Sequence, residues 1–318
     1  WIRMVSGIVS IMVCDSEVKK NCYYILSELD FSMVKIWGRN MKDTIMVFDT
    51  GELEIALVTY NRCDFVAEWM KRCYESIRRR NIHLSIYDSS TNRDTERYVN
   101  EWKARMNDNR IEYYHVDSGI NIGYKPMLPI LNAKSKYLWI SGDSRCHDFE
   151  CLDEKVFPYL RQDIDCVLFH ILNNEENDGK IYTDKNELLR DCFVSMTCIG
   201  LSIYKLSLFD SLKKDKQFME ICNQKYRNNY GFAWIGYFLE MFAIGKRKAL
   251  FSIVPGTDLK ADIKIPSWFK RCHACWVDDL CGLMDAVSEK YQQTETVMRE
   301  TWKYISLDSP GFCDFARR

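Results

Sequence analysis

The chain has 318 residues, 47 % apolar and 28 % charged, the composition of an ordinary globular protein able to bury a sizeable core. Lysine and arginine (44) almost balance aspartate and glutamate (45), for a formal net charge of −1. The chain as a whole therefore exerts no general pull on nucleic acid or an anionic membrane, and any polyanion it binds must be a small one held at a local site.

Residues 1–50 carry no strong motif and read as an N-terminal attachment. Within them Val18–Leu29 suits a helix, and Met33–Trp37 and Thr44–Phe48 suit short strands. The apolar stretch Met4–Val13 is short and no clear small-residue cleavage site follows it, so a buried strand or helix is expected there rather than a signal peptide. No run of ~18 apolar residues occurs, and no transmembrane segment is expected.

From Leu53 the pattern sharpens. Leu53–Thr59 is a short apolar run suited to a strand buried on both faces. In Asp64–Arg80, Phe65, Trp69 and Cys73 recur at helical spacing, and Val66, Met70 and Ile77 widen the same stripe. Arg78–Arg80 close that helix at the negative end of its dipole. Leu84–Tyr87 reads as a strand, and Asp94–Met106 as a helix with Tyr98, Val99 and Trp102 on one face. Strand Ile111–Val116, helix Tyr124–Ala133 and strand Tyr137–Ser141 follow. Such alternation calls for a parallel sheet with helices on both sides, and such sheets bind ligands beyond the carboxyl ends of their strands.

Asp165–Leu172 is a further buried strand, and the polar stretch Asn173–Glu187 reads as a mobile loop. A strand is expected over Ile199–Tyr204, and helices over Gln217–Tyr226 and the aromatic Phe232–Ala243. After Ile263 the pattern is helical to Ile305. The expected organisation is an attachment over 1–50, an α/β domain over 51–255 with a Rossmann-like, mostly parallel sheet flanked by helices, and a helical region over 256–318.

Four short polar segments follow the strands in order: Thr59-Tyr60-Asn61-Arg62, Tyr87-Asp88-Ser89-Ser90-Thr91-Asn92, Asn121-Ile122-Gly123-Tyr124 and Gly142-Asp143-Ser144-Arg145. Their chemistry suits a nucleoside diphosphate. A carboxylate such as Asp88 can accept from the N3–H of uracil, and the hydroxyls of Thr59 and Ser89 can serve base or ribose. Asn121 and Gly123 let the backbone turn close to a ligand. Asp143, straight after the apolar YLWIS, is placed to touch ribose or a metal between phosphates.

The order of these segments resembles the large inverting glycosyltransferase family of GT-A fold, the glycosyltransferase family 2 group. Its members begin "TYNR" and continue "DDGSTD", "NxGxxxARN" and an Asp-x-Asp. The matches here are VTYNR at 58–62, YDSSTNRDT at 87–95, NIGYKPMLPILN at 121–132 and YLWISGDSR at 137–145. IGLSIYKLSLFD at 199–210 is similar to the family's segment near the acceptor. The resemblance implies a nucleotide-sugar donor, most simply a UDP-sugar, a hydroxyl acceptor on a glycan or glycoprotein, inversion at the anomeric carbon, and Mn²⁺ or Mg²⁺ as cofactor. It places Thr59, Tyr60, Asn61, Arg62, Asp88, Ser89, Asn121, Gly123, Gly142, Asp143 and Arg145 around the donor, with Asp143 as the metal ligand.

Two departures stand out. The family's first aspartate of the pair is Tyr87 here, and the Asp-x-Asp is reduced to Asp143-Ser144-Arg145. Arg145 cannot bind a metal, but its guanidinium fork suits phosphate oxygens. Metal would then need Asp143 together with His147 or Asp148. The family's catalytic base comes from an acid at the start of a helix after the acceptor strand; here NNYGFAWIGYFLEM has no early acid, and Glu240 is the only one on that helix. Glu240 and Asp143 are the catalytic candidates, with Asp210 upstream.

Plainer readings stand beside these. Asp143 can cap the segment that follows it, and Asp88 can build an Asx turn. The stripe Phe232, Trp234, Tyr237 and Phe238 reads as core, with a sugar-stacking wall or a homo-oligomer contact as its alternatives. Cys272-His273-Ala274-Cys275 has zinc-like spacing but lacks a second Cys-x-x-Cys. The 14 scattered cysteines read as reduced thiols, and with the absence of any Asn-x-Ser/Thr sequon they suggest a cytoplasmic address. The rival functions are a catalytically degenerate nucleotide-sugar-binding or scaffold module, and a nucleotidyltransferase, against which TYNRCDF offers no glycine for a phosphate loop.

Overall fold

In the computed structural model the described residues are 52–170, 177–259, 271 and 274–308, together with the backbone of four strands within the first fifty. Those four, β1 (Ile2–Val5), β2 (Ile8–Met12), β3 (Met33–Trp37) and β4 (Ile45–Met46), pair in that order as a sheet of their own. The helix expected over Val18–Leu29 lies outside the described residues, as do Cys272 and His273 of the zinc-like motif.

The central sheet holds eight strands. In chain order they are β5 (Leu53–Thr59), β6 (His83–Asp88), β7 (Ile111–His115), β8 (Tyr137–Gly142), β10 (Cys166–His170), β11 (Ile181–Tyr182), β12 (Ser202–Lys205) and β13 (Ala249–Ile253). The spatial order is β11-β13-β10-β12-β8-β5-β6-β7. β5 pairs in parallel with both β6 and β8, and β6 with β7. β12 runs antiparallel between β8 and β10, and β10 is parallel to β13. A short ribbon, β9 (Arg145–His147) with β14 (Gly256–Asp258), stands apart from the sheet.

The strand order explains where a ligand can sit. From β5 the chain steps outward to β6 and β7, then returns to pair β8 on β5's other side. Open sheets of this kind bind ligands where the strand order reverses, here beyond the carboxyl ends of β5 and β8. Leu53–Thr59 is buried at all seven positions, as a central strand must be. Its side chains alternate: Leu53, Ile55 and Leu57 enter one apolar cluster, Ala56 and Val58 the other. The helix Cys63–Arg79 covers the first of these with Phe65, Val66, Trp69, Met70, Cys73, Tyr74 and Ile77. Each such large apolar side chain contributes about 1.5–3 kcal/mol.

The other face is covered by the helices Lys185–Met196 and Ala233–Phe242, whose apolar residues share one cluster with Ala56, Leu138 and Phe251. Phe232, Trp234, Tyr237 and Phe238 are all buried there, so the aromatic stripe is core. Leu280, Leu283 and Met284 of the helix Leu280–Val287 join the same cluster. The helix Leu280–Val287 thus helps close the core laid down by the sheet.

The polar stretch read as a loop, Asn173–Glu187, is corrected in part. It contains the edge strand β11, and the helix Lys185–Met196 begins inside it. Its described portion is pinned to β13: Gly179 N donates to Phe251 O over 3.0 Å, and Ile253 N to Asp178 Oδ1 over 2.8 Å. Among the described residues no helix is long and apolar enough to cross a membrane. The ten described cysteines are free thiols.

Candidate functional site

Three strand ends meet at this point of the sheet. β5 ends on Thr59, β6 on Asp88, and β8 delivers Asp143 one residue past Gly142. Thr59 Oγ1 donates to Asp143 Oδ2 over 2.6 Å, and the Arg62 guanidinium lies 3.0 Å from Asp143 Oδ1. Asp143 is 3 % exposed, and burial raises its pKa against the opposing pull of Arg62, Thr59 and Lys125. Arg62 itself stacks on the Phe65 ring at 3.7 Å, with 37 % of its side chain exposed. It is the residue before the helix Cys63–Arg79, so the first turn of that helix holds it in place.

Lys125 is the cation whose importance the motif pattern understated. It sits in the tight turn after Asn121, ahead of the short helix Met127–Asn132. Its ammonium donates to the Thr59 carbonyl and, over 2.7 Å, to Ser89 Oγ. At 4 % exposure, burial pushes its pKa down to about 8, against the pull of Asp88 and Asp143. The available signal was a lone lysine in an otherwise apolar segment. A buried ammonium beside two carboxylates ties three of the four polar segments together.

Asp88 is fully buried. Its Oδ1 accepts from Ser90 N over 2.8 Å and from the Ser90 hydroxyl, and its Oδ2 accepts from Tyr113 OH over 2.8 Å. Burial, and then this hydrogen bond, raise the Tyr113 pKa. The carboxylate therefore builds the turn that presents Ser89 and Ser90, and a carboxylate's remaining lone pairs are what it has left for a ligand. Asn61, in the left-handed region at φ 52°, acts as a clasp: its N donates to Ser90 Oγ over 2.7 Å, and its Oδ1 accepts from Thr91 N over 3.0 Å. Tyr60, beside it, is 40 % exposed at the rim.

Asn121 Oδ1 accepts from Gly123 N over 2.8 Å. Gly123 is required by protein, not by a ligand: a Cβ there would lie 2.5 Å from the Tyr230 carbonyl and 2.6 Å from that of Asn229. Gly123 O in turn accepts from Trp234 N over 3.0 Å, which locks the turn to the start of the helix Ala233–Phe242. Gly142 is half-buried, and a Cβ there would make only ordinary contacts with Ile199.

The structure places Arg145 on β9, its aliphatic stem beside Gly256 of β14 and its carbonyl accepting from Trp69 Nε1 over 3.0 Å. The guanidinium that meets Asp143 is that of Arg62. Glu240 lies about two helical turns beyond Ala233. Its carboxylate accepts from Tyr226 OH over 2.7 Å and from Lys290, with Lys225 at 3.7 Å. These partners outweigh burial and lower its pKa. The acid that does stand at the start of this helix comes from far along the chain. Asp279 Oδ2 accepts from Gly231 N over 3.0 Å, and burial raises its pKa. Asp210 pairs with Lys214 at the surface.

A divalent cation needs about six oxygen ligands, several of them carboxylate or water. The donor set here does not suit one. Both Asp143 oxygens are engaged, the third position of the motif is an arginine, and Asp148 caps the helix Phe149–Lys155 through Glu150 N and Cys151 N. His147 is packed between Trp139 and Phe169, and burial, with Arg145 nearby, holds its pKa down at about 4. Among the described residues no three His, Cys, Asp or Glu side chains cluster as a metal site.

Solved structures show the same architecture. S. aureus TarS 1–349 is 10 % identical over 81 % of this chain and 73 % of that one, with a TM-score of 0.51. Its complex with UDP is 11 % identical over 81 % and 73 %, with a TM-score of 0.50. The mannosyltransferase PcManGT from Pyrobaculum calidifontis, in complex with GDP-Man and Mn²⁺, is 11 % identical over 81 % and 75 %, with a TM-score of 0.51. The chain therefore has the mixed α/β fold of GT-A glycosyltransferases. No protein-family model and no curated protein matches it.

Proposed function

We propose that the chain is a glycosyltransferase that moves a sugar from a nucleotide sugar, a UDP-sugar in the simplest reading, to a hydroxyl of a glycan or glycoprotein, with inversion. The observation that carries this reading is the cluster at the topological switch point, where Thr59, Asp143, Arg62, Ser89 and Lys125 converge beyond the ends of β5, β6 and β8. Hydroxyls and carboxylates suit a nucleoside, and two cations suit its diphosphate. The fold it shares with a mannosyltransferase solved with GDP-Man supports the same class of donor. Free thiols and the absence of sequons fit a cytoplasmic address.

In this reading the acceptor hydroxyl attacks the anomeric carbon while the carbon–diphosphate oxygen bond breaks. Arg62 and Lys125 face the charge that develops on the leaving diphosphate, an electrostatic contribution that the buried site strengthens. Asp279, whose carboxylate accepts from Gly231 ahead of the helix Ala233–Phe242, is our candidate for the acid that takes the acceptor's proton, and burial raises its pKa. Glu240 is left to hold helices together.

The second reading, a nucleotide-sugar-binding module without turnover, is favoured by the carboxylates of Asp88 and Asp143 being already engaged. Calorimetry with UDP-sugars and GDP-mannose, followed by a donor-hydrolysis assay, separates the two. Binding with turnover supports the transferase. Binding without hydrolysis or transfer supports the module, and no binding of any nucleotide sugar at millimolar concentration defeats both.

A further inference from the structure

We infer that the donor's diphosphate is met by the Arg62 guanidinium in place of a divalent cation, so that donor binding needs no metal. This rests on the nucleotide-sugar reading and adds to it the identity of the counter-charge. A nucleoside diphosphate carries about two to three negative charges near neutral pH, and a site that binds it must place positive charge opposite them. Arg62 is already there. It is fixed from one side by Asp143 Oδ1 at 3.0 Å and from below by the Phe65 ring at 3.7 Å, yet 37 % of its side chain remains exposed. A guanidinium carries five N–H donors in a rigid fork, so one edge can stay on Asp143 while another takes a phosphate oxygen.

The same geometry disfavours a metal. A cation bound at Asp143 would have to share the carboxylate with the Thr59 hydroxyl and with Arg62, each of which holds one of its oxygens. If Arg62 stayed, two positive charges would share one carboxylate in a buried site, a costly arrangement. Lys125, buried and fixed on Thr59 and Ser89, adds a second internal cation beside Asp88 and Asp143. Two built-in cations and an occupied aspartate are the chemistry of a site that supplies its own counter-charge.

The test is calorimetry of the full chain with UDP as the probe, in EDTA and again with saturating Mn²⁺ or Mg²⁺. The expected result is a Kd that agrees within about threefold across these conditions. Arg62→Ala is expected to weaken UDP about tenfold or more in EDTA, the range for losing a charge-assisted hydrogen bond. Arg62→Lys should recover part of that loss, and uridine, which lacks phosphate, should bind Arg62→Ala as it binds the parent chain. Thermal melting of both variants checks that they fold. UDP binding that appears only with metal, or an Arg62→Ala variant with unchanged UDP affinity, overturns the inference and leaves the nucleotide site standing. Binding of neither UDP nor GDP, with or without metal, overturns the nucleotide-sugar reading and the inference together.

Discussion

Asp143 in the crevice and Glu240 in the helical half are both 3 % exposed and both face cations, yet their pKa values move in opposite directions. At Asp143, burial outweighs Arg62, Thr59 and Lys125, and the carboxyl is pushed up. At Glu240, burial is outweighed by Lys290, Tyr226 and Lys225, and the carboxyl is held down. The difference lies in how completely each charge is met. Glu240 is a closed staple between the helix Ala233–Phe242 and the C-terminal region. Asp143 is under-compensated, and a ligand that brings hydroxyl donors improves its surroundings. A buried acid of the second kind is a candidate for ligand contact, whereas one of the first kind is a structural joint.

The largest expected effect falls on Asp279, which holds Gly231 ahead of the helix Ala233–Phe242. Asp279→Asn should lower the rate of transfer about 10²–10⁴-fold, the range for a lost general base, with donor affinity unchanged. Steady-state kinetics alongside donor calorimetry would check this, and a loss below tenfold would move the base elsewhere. Glu240→Gln should instead cost stability, about 2–3 kcal/mol by urea denaturation, because it leaves Lys290 and Tyr226 without their charged partner. Lys290 is 35 % exposed, which keeps the figure below that for a fully buried pair. Nucleotide affinity of the folded variant should not change.

Glu240 also has a pH signature. Its folded-state pKa lies below the ordinary glutamate value of 4.5, so its contribution is fully present above that value and is lost as pH falls through the folded pKa. Glu240→Gln should therefore show less loss of stability than the parent chain on acidification below pH 4.5. Asp143→Asn should behave in the opposite way. The amide keeps the shape and removes an under-compensated buried charge, so stability should change by less than about 1 kcal/mol while UDP affinity falls about tenfold.

The smallest effect expected is a titration. Lys125 has a pKa of about 8, below the ordinary 10.5, so it loses its charge as pH rises through 8. UDP affinity should fall between pH 7 and 9, and Lys125→Met should flatten that profile. A profile that stays steep in the variant would assign the titration to another group.

Much of the α/β layout was legible because central strands are short apolar runs and their covering helices carry clear stripes, as in Leu53–Thr59 and Phe65/Trp69/Cys73. The edge was not. β11 has two residues, β9 and β14 three each, and such short, partly polar pieces have no periodicity to read. The candidate site divides in the same way. Thr59, Asp88 and Asp143 were visible because each closes an apolar strand. Which side chains would pair was not, since Arg62–Asp143 spans 81 positions, and the contact of Asp279 with Gly231 spans 48. Such pairs are set by tertiary packing. Gly123 shows the converse: its motif position suggested a ligand, while the Tyr230 and Asn229 carbonyls are what exclude a side chain there.

The central claim, that the region beyond β5, β6 and β8 is a nucleotide-sugar site, is tested most directly by a crystal structure of the chain soaked or co-crystallised with a UDP-sugar. The account predicts the nucleoside beside Ser89 and Asp143, with the diphosphate against Arg62 and no metal between them. Ligand density anywhere else in the molecule, with this region empty at saturating concentration, would contradict it.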